Sequence, residues 1–352
     1  MKFGIKSVAF VVGMNFILSA CSGPDAQQME RAFYYWKSGD ISLFEKHVFE
    51  ESNASKLYVK IFEITLDDLK GAIPQSKAYT EFTEEFLDRA EIIPTIFIEN
   101  DVIAKSTIEQ LDELAKNTVS LTDKFINDKL KANSSDVLNC SEIQIDCDWL
   151  ASSKERYFEF LKAIKKYSDK QISCTVRLYP YKFTKEMGVP PVDRAMLLCY
   201  NLLNPKNHPK KNTILDLEEL KKYVQTDKKY PLPIDIGLPA YSSCYMFVNG
   251  KFDEVIHAVP ENLEKITVEK MGELWYTIEH DTSLNYNYFK GGQQIKIERV
   301  SNELLIDATE MIVNNIEFDD SPTVAIYHLD ENELNQYKHE TLDSVYFLFS
   351  KR

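Results

Sequence analysis

The amino-acid sequence predicts an α/β protein, a (β/α)8 TIM barrel with a β-rich insertion after the seventh strand. Eight short apolar segments that resemble strands are well separated along the chain. Amphipathic helical patterns lie between several of them, and this alternation is typical of a parallel barrel. The chain has 352 residues, 44% of them hydrophobic, which is enough for one large core. We therefore expect one barrel domain over residues 31–352.

The order of the predicted elements follows from these patterns. The strands are predicted at residues 32–36, 56–64, 92–98, 142–148, 172–178, 195–200, 234–240 and 323–328. Apolar residues at helical spacing predict helices at residues 107–130, 156–167, 214–223 and 302–315. The apolar C-terminal residues 342–352 are expected to pack back on the barrel.

One connection is too long for a simple loop. About 60 residues separate the seventh strand from the helix at Asn302, and they contain several short strand-like segments. We assign residues 242–300 to an inserted hairpin or small sheet. Loops that follow barrel strands rise at the C-terminal face, where active sites of such barrels lie. The insertion is therefore expected to form one wall of a pocket.

The N-terminus has the features of a secretory signal. Lys2 and Lys6 belong to a basic segment before an apolar run at residues 8–18, which is too short to span a bilayer comfortably. The run ends in Leu-Ser-Ala-Cys at residues 18–21, which resembles the bacterial lipobox. This resemblance implies that residues 1–20 are removed, that Cys21 is lipidated and that residues 21–30 are a tether. We then expect a lipid-anchored protein of the cell envelope, either periplasmic or exposed at the surface.

Composition excludes several classes of ligand. The formal net charge of −14 argues against binding to nucleic acid or to an anionic membrane face, so the lipid is the only expected membrane contact. The chain has few glycines and no phosphate-binding motif, and no Cys or His spacing indicates zinc. We expect no cofactor, no metal and a monomer. The five cysteines other than Cys21 do not suggest a disulfide framework and are expected to be small buried thiols.

The fourth predicted strand carries four polar residues on one face. Glu142, Gln144, Asp146 and Asp148 share a side because alternate strand residues point the same way. If that side faces the barrel interior, Asp148 opens onto the C-terminal mouth and the others lie deeper. Arg177, near the end of the next strand, is then expected to pair with Asp146, since neither charge can be buried alone.

These residues also carry a family resemblance. Ile-Asp-Cys-Asp-Trp at residues 145–149 resembles the fourth-strand motif D-x-x-D-x-D-x-E of family 18 glycoside hydrolases, with Asp146 and Asp148 at its second and third acids. Tyr200 and Asn201 resemble the Tyr-Asp after the sixth strand of that family. Residues 235–241, which end at Tyr241, resemble its seventh-strand G-x-P-x-Y. The whole chain also resembles an uncharacterised group of Bacteroidetes lipoproteins that are expected to be barrels of this type.

The resemblance implies a glycan ligand, or another small molecule, in a cleft at the C-terminal face. It places Asp148 and Asp146 in the catalytic positions. The sequence departs from the family where Leu150 replaces the glutamic acid that serves as general acid, and where Ile143 and Asn201 replace aspartates. Two hypotheses therefore stay open: an O-glycosyl hydrolase in which Asp148 is a catalytic carboxylate, and an inactive glycan-binding barrel.

Several residues at predicted strand ends are expected to contact the ligand. Aromatic rings stack on the apolar faces of sugars, and polar groups fix their orientation. Glu63, Glu99 or His328 could also supply the missing acid, although the strand alternation leaves open whether Glu63 or Phe62 points inward. Each residue has a structural alternative, as core ring, solvated carboxylate or structural histidine. The substrate-binding candidates are Tyr35, Trp36, Glu63, Arg177, Tyr179, Tyr200, Asn201, Tyr241 and His328.

Overall fold

The computed structural model of the protein describes residues 29–351 except positions 68, 78–79, 131–139, 227, 257–259, 264–265, 267, 285–286 and 319–320. The predicted signal peptide, Cys21 and most of the predicted tether lie outside the described residues. Lipidation and cell-envelope location therefore stay predictions.

The strands and helices in the described part of the chain are the following. The strands are β1 (Glu30–Tyr35), β2 (Lys56–Asp67), β3 (Gly71–Ser76), β4 (Glu91–Ile98), β5 (Glu142–Asp146), β6 (Gln171–Arg177), β7 (Arg194–Leu198), β8 (Ile234–Pro239), β9 (Ser242–Val248), β10 (Lys251–Ile256), β11 (Val268–Lys270), β12 (Trp275–Ile278), β13 (Thr282–Leu284), β14 (Asn287–Phe289), β15 (Gln294–Arg299) and β16 (Thr323–Tyr327). The helices are α1 (Leu43–Glu51), α2 (Glu84–Leu87), α3 (Asn100–Lys105), α4 (Ile108–Phe125), α5 (Lys154–Tyr167), α6 (Leu178–Lys182), α7 (Thr184–Met187), α8 (Leu217–Val224), α9 (Pro260–Leu263), α10 (Asn302–Asn315), α11 (Glu331–Leu334) and α12 (His339–Ser350).

The predicted (β/α)8 barrel is confirmed. Its strands pair in parallel in the order β1-β2-β4-β5-β6-β7-β8-β16, and β16 pairs with β1 to close the ring. All eight predicted strands are barrel strands. Strand β3 is not part of the ring. It pairs antiparallel with the C-terminal half of β2.

The helices pack their apolar faces on the outside of the barrel. Helices α4, α5 and α10 occur where the apolar periodicity predicts them, and α4 continues as one π-helical turn over Ile126–Leu130. Helix α8 begins at Leu217 rather than at residue 214, because the Asp216 side chain caps it by accepting a hydrogen bond from the Glu219 amide. Helix α12 packs on β1, where the Tyr346 hydroxyl donates to the Ala32 carbonyl at 2.9 Å. None of the described helices is long and apolar enough to cross a bilayer.

The insertion between β8 and α10 is β-rich, as predicted. Strands β9, β10, β11, β12 and β15 form an antiparallel sheet, and β13 pairs with β14. This sheet has its own small apolar core, which includes Met246, Ile278, Phe289 and Ile295. The five described cysteines are all buried and free, which confirms the interpretation as small buried thiols.

Candidate functional site

The polar residues of β5 point into the barrel and meet those of β6. Gln144 lies opposite Ser173 in the parallel register. Glu142 accepts a hydrogen bond from the Ser173 hydroxyl, and Gln144 Oε1 accepts one from the Tyr34 hydroxyl at 2.8 Å. Both β5 side chains are buried. This deep part of the polar row is therefore an internal hydrogen-bond network, since buried polar groups need partners.

The ion pair at the barrel mouth differs from the predicted one. Arg177 binds Asp148, with Nε 2.6 Å from Oδ1 and Nη2 3.0 Å from Oδ2. Asp146 instead accepts a hydrogen bond from Thr175 Oγ1 at 2.5 Å. The predicted Asp146–Arg177 pair is wrong because the parallel register sets Asp146 beside Thr175. The Arg177 side chain, two residues further along β6, meets the next inward carboxylate and binds both of its oxygens.

Asp146 is a carboxyl group at the mouth whose pKa is raised. Burial raises its pKa to about 6, and the negative charge of Asp148 acts in the same direction. The hydrogen bond from Thr175 and the positive charge of Arg177 oppose these effects. Asp146 is therefore close to half protonated near pH 6.

Aromatic rings cluster in the C-terminal half of the barrel. The ring of Tyr327 lies 5.3 Å from that of Tyr200, 5.4 Å from Tyr241, 5.8 Å from Tyr34 and 5.9 Å from Trp36, measured between centroids. Burial raises the pKa of Tyr200 and of Tyr241 well above its usual range, so both hydroxyls stay protonated. The mouth thus offers ring faces and neutral hydroxyl groups.

A β-bulge in β2 decides which of its side chains face the mouth. The pairing with β4 shifts register between Lys60 and Phe62. The extra residue brings Lys60 and Glu63 to the same side, with Nζ 3.4 Å from Oε2. Lys77 Nζ also lies 3.4 Å from Glu63 Oε2. Glu63 therefore faces the mouth, as an ion-pair partner of two lysines rather than as an unpaired acid.

Described residues form two cavities that open at this end of the barrel. The outer cavity, of about 650 Å³, lies among the segments that follow β5, β6 and β7. The central cavity, of about 170 Å³, lies between inward-facing residues of seven barrel strands. Arg177, Tyr200 and Asn201 line both. The outer cavity has the size of a ligand pocket, whereas the central one falls below that range of about 300–1,000 Å³.

Most of the predicted site residues meet at these cavities. Asp148 and Tyr179 line the outer one, and both are accessible, with the Asp148 side chain 55% exposed and Tyr179 42% exposed. Asp146, Trp36 and Glu63 line the central one. Tyr241 lines neither cavity, but its hydroxyl donates to Asn201 Oδ1 at 2.6 Å.

Tyr35 and His328 do not line either cavity. Tyr35 points to the opposite side of β1 from Tyr34, because side chains alternate along a strand, and its hydroxyl donates to the Gly39 carbonyl at 2.8 Å. The interpretation of Tyr35 as a ligand-stacking ring is corrected accordingly. Burial lowers the pKa of His328 to about 4, so the ring is neutral at pH 7 and is not a proton donor there.

Leu150 and Glu186 also line the outer cavity. Leu150 is 56% exposed. It stands at the position where family 18 glycoside hydrolases, which the sequence resembles, have their general acid. Glu186 lies in α7, and its Oε2 accepts a hydrogen bond from the Tyr179 hydroxyl at 2.9 Å. Sequence reasoning missed Glu186 because a short helix after β6 brings it to the mouth and no motif surrounds it.

The insertion acts on the site through the segment that follows β7. Lys296 and Glu298 of β15 form a fully buried ion pair at 2.5 Å. Glu298 Oε2 accepts hydrogen bonds from the amides of Thr213 and Ile214 at 2.7 and 3.2 Å. The Ile214 carbonyl in turn accepts a hydrogen bond from the backbone N–H of Asn201 at 2.8 Å. No described residue of the insertion lines either cavity, and the described contacts of the insertion support the mouth from behind.

The side chains at the mouth do not resemble the ligands of a metal centre. In the part of the chain that the structure describes, no group of three or more His, Cys, Asp or Glu side chains could hold a metal ion. The carboxylates at the mouth are instead bound to Arg177, Thr175, Tyr179 and lysines.

Comparison with known proteins supports the fold. No family model matches the chain, and no curated protein matches it in sequence. The spore cortex-lytic enzyme SleL of Bacillus cereus is similar in structure, with a TM-score of 0.51 and 13% identity over 90% of this chain and 75% of that chain. A chitinase from Chromobacterium violaceum has a TM-score of 0.47 and 10% identity, over 90% of this chain and 99% of that chain. At such identities the similarity to SleL shows the barrel fold alone.

Proposed function

We propose that the protein is a glycan-binding barrel whose ligand lies in the outer cavity and reaches the residues shared with the central one. The observation that carries this proposal is that neither Asp148 nor Leu150 is placed to act as a proton donor. Asp148 is held by both oxygens in the ion pair with Arg177. Leu150, which cannot donate a proton, stands where the resembling family has its general acid. Glycoside hydrolysis needs a proton donor at the leaving oxygen, and neither position supplies one.

The lining of the outer cavity suits a sugar. Tyr179 presents an exposed ring that packs against Phe183 with centroids 4.6 Å apart, so the ring is already fixed before a ligand arrives. Asn201 and Glu186 add polar groups at the same cavity. A fixed aromatic face beside a few polar groups is the usual composition of a carbohydrate site. The resemblance to family 18 glycoside hydrolases and the fold shared with a cortex-lytic enzyme agree with this ligand class.

One observation favours a second candidate function, a hydrolase that uses Asp146. Its pKa of about 6 leaves part of the population protonated at neutral pH, as a general acid requires. Asp146 lines the central cavity, so the sugar would have to enter deeper than the outer cavity. The small volume of the central cavity makes this the less favoured candidate.

We also propose that the lipobox-like segment anchors the protein to a membrane of the cell envelope. The support is the ordered sequence of basic segment, apolar run and cysteine at residues 1–21. A barrel held in this way would present its mouth to glycans of the envelope or of the surroundings.

A glycan array with the purified protein, followed by incubation of each hit and analysis of the products, tests these proposals. Binding without cleavage supports the glycan-binding barrel. Cleavage overturns it in favour of the hydrolase, and an Asp146→Asn variant should then lose about 10²–10⁴ in turnover if Asp146 is the acid. The absence of any bound glycan would reject both candidates.

A further inference from the structure

The cations at the two cavities are already occupied by groups of the protein itself. Arg177 and Lys60 are the cationic residues that line the cavities. Arg177 directs Nε and Nη2 to Asp148 and Nη1 to the Tyr200 carbonyl at 3.3 Å. Lys60 lies between the Glu63 carboxylate and the face of the Trp36 ring, 5.2 Å from its centroid. Arg177 is not available to an incoming anion without breaking these contacts, and the charge of Lys60 is balanced by Glu63.

The carboxylates outnumber these cations. Asp146, Asp148, Glu63 and Glu186 line the two cavities, against the two cations. Glu186 accepts a hydrogen bond from the Tyr179 hydroxyl, and no cationic side chain in the described part of the chain forms an ion pair with its carboxylate. The chain as a whole carries a formal charge of −14. The local and the overall charge therefore both oppose the approach of an anion.

A change in the orientation of the Arg177 side chain would not make the cavities favourable for an anion. If the guanidinium turned to a ligand carboxylate, Asp148 would lose its partner beside Asp146, whose pKa is already raised partly by the Asp148 charge. The protein would exchange an internal bidentate pair for an external one and leave two neighbouring carboxylates facing each other.

We propose that the outer cavity selects glycans without carboxylate or sulfate groups, and that among these it favours sugars with a protonated amine, which the Glu186 carboxylate binds. This inference rests on the proposed glycan-binding function and adds the charge class of the ligand. A uronic acid or a sulfated sugar would meet Glu186 and Asp148, and Arg177, the cation among the described residues that line the outer cavity, is already bound to Asp148. A free amine would instead pair with Glu186, whose hydrogen bond from Tyr179 leaves acceptor capacity on both oxygens.

The test compares glycans by charge, on an array that contains neutral, amine-bearing, carboxylate-bearing and sulfated oligosaccharides. The expected result is binding of neutral and amine-bearing glycans and none of the anionic ones. Equal or preferential binding of anionic glycans would overturn the charge selection while leaving the glycan-binding function in place. Binding of no glycan at all would reject the proposed function itself.

Substitutions of individual residues test whether the charge preference arises from the side chains of the outer cavity. Glu186→Gln should weaken binding of an amine-bearing hit about two- to fivefold more than binding of a neutral hit, the range for one partly exposed charge pair. Asp148→Asn should allow anionic glycans to bind, because Arg177 then loses its carboxylate partner. Glu254→Lys is the control for net charge, since Glu254 is exposed on β10 and lines neither cavity, and it should leave the preference unchanged.

Tyr179→Phe separates the charge from the hydrogen bond. It keeps the Glu186 carboxylate and the ring, so the preference for an amine should persist. Loss of the preference in Tyr179→Phe or in Glu254→Lys, or its persistence in Glu186→Gln, would refute the role of Glu186. Circular dichroism of each variant confirms that it is folded before its binding is compared.

Discussion

Removal of one partner of the buried ion pair in the insertion should strongly destabilise the protein. Lys296 Nζ contacts Glu298 at 2.5 Å and donates to the carbonyls of His208 and Lys211 at 2.8 Å each. Both side chains are fully inaccessible to solvent. Lys296→Met leaves the Glu298 carboxylate buried without its cation. Loss of one partner of such a pair typically costs about 3–5 kcal/mol, so the free energy of unfolding should fall by that amount.

Urea denaturation followed by circular dichroism measures the change, and a double-mutant cycle of Lys296→Met, Glu298→Gln and the double variant assigns it to the pair. Adding Glu298→Gln to Lys296→Met removes the unpaired charge while an amide oxygen still accepts from Thr213 and Ile214. The double variant should therefore be more stable than Lys296→Met by about 1 kcal/mol or more. Glu159→Gln, which breaks an exposed pair with Lys162, is the matched control and should change stability by less than about 1 kcal/mol. A Lys296→Met variant no less stable than this control would refute the reasoning.

Three further predictions follow from the site and the N-terminus. Burial raises the pKa of Glu142 to about 7, so the folded protein binds a proton between about pH 4.5 and 7 that the unfolded chain does not, and stability should fall as pH rises through this window. Glu142→Gln should flatten that fall and stabilise the protein at pH 8 by about 1–3 kcal/mol in urea titrations, whereas an unchanged pH slope would contradict the assignment. Tyr179→Ala should weaken the affinity for a glycan hit by about 1–2 kcal/mol in calorimetry, because a stacking face is lost, while Tyr35→Phe, on the other side of β1, should not change it. Cys21→Ser should release the protein from the membrane fraction, because no thioether can form, and continued sedimentation of this variant with membranes would reject the lipobox interpretation.

The amino-acid sequence by itself determined the barrel and the side of β5 that carries its polar groups. Eight separated apolar segments with helical periodicity between them leave few arrangements other than a closed parallel sheet with helices outside. The alternation of Glu142, Gln144, Asp146 and Asp148 follows from the two-residue repeat of any strand. These features are local, so they are readable without knowing which strands become neighbours.

The tertiary structure decided which side chains pair with one another at the barrel mouth. Arg177 binds Asp148 rather than Asp146 because the register between β5 and β6 depends on how the whole ring closes. A one-residue bulge in β2 brings Glu63 to the mouth beside Lys60, and strand alternation alone left that orientation open. Glu186 reaches the outer cavity only through the path of the chain after β6, and the insertion supports Asn201 through Glu298 and Ile214. Contacts between residues far apart in the chain depend on register, bulges and loop paths, and those are set by the packing of the complete fold rather than by the pattern of any one segment.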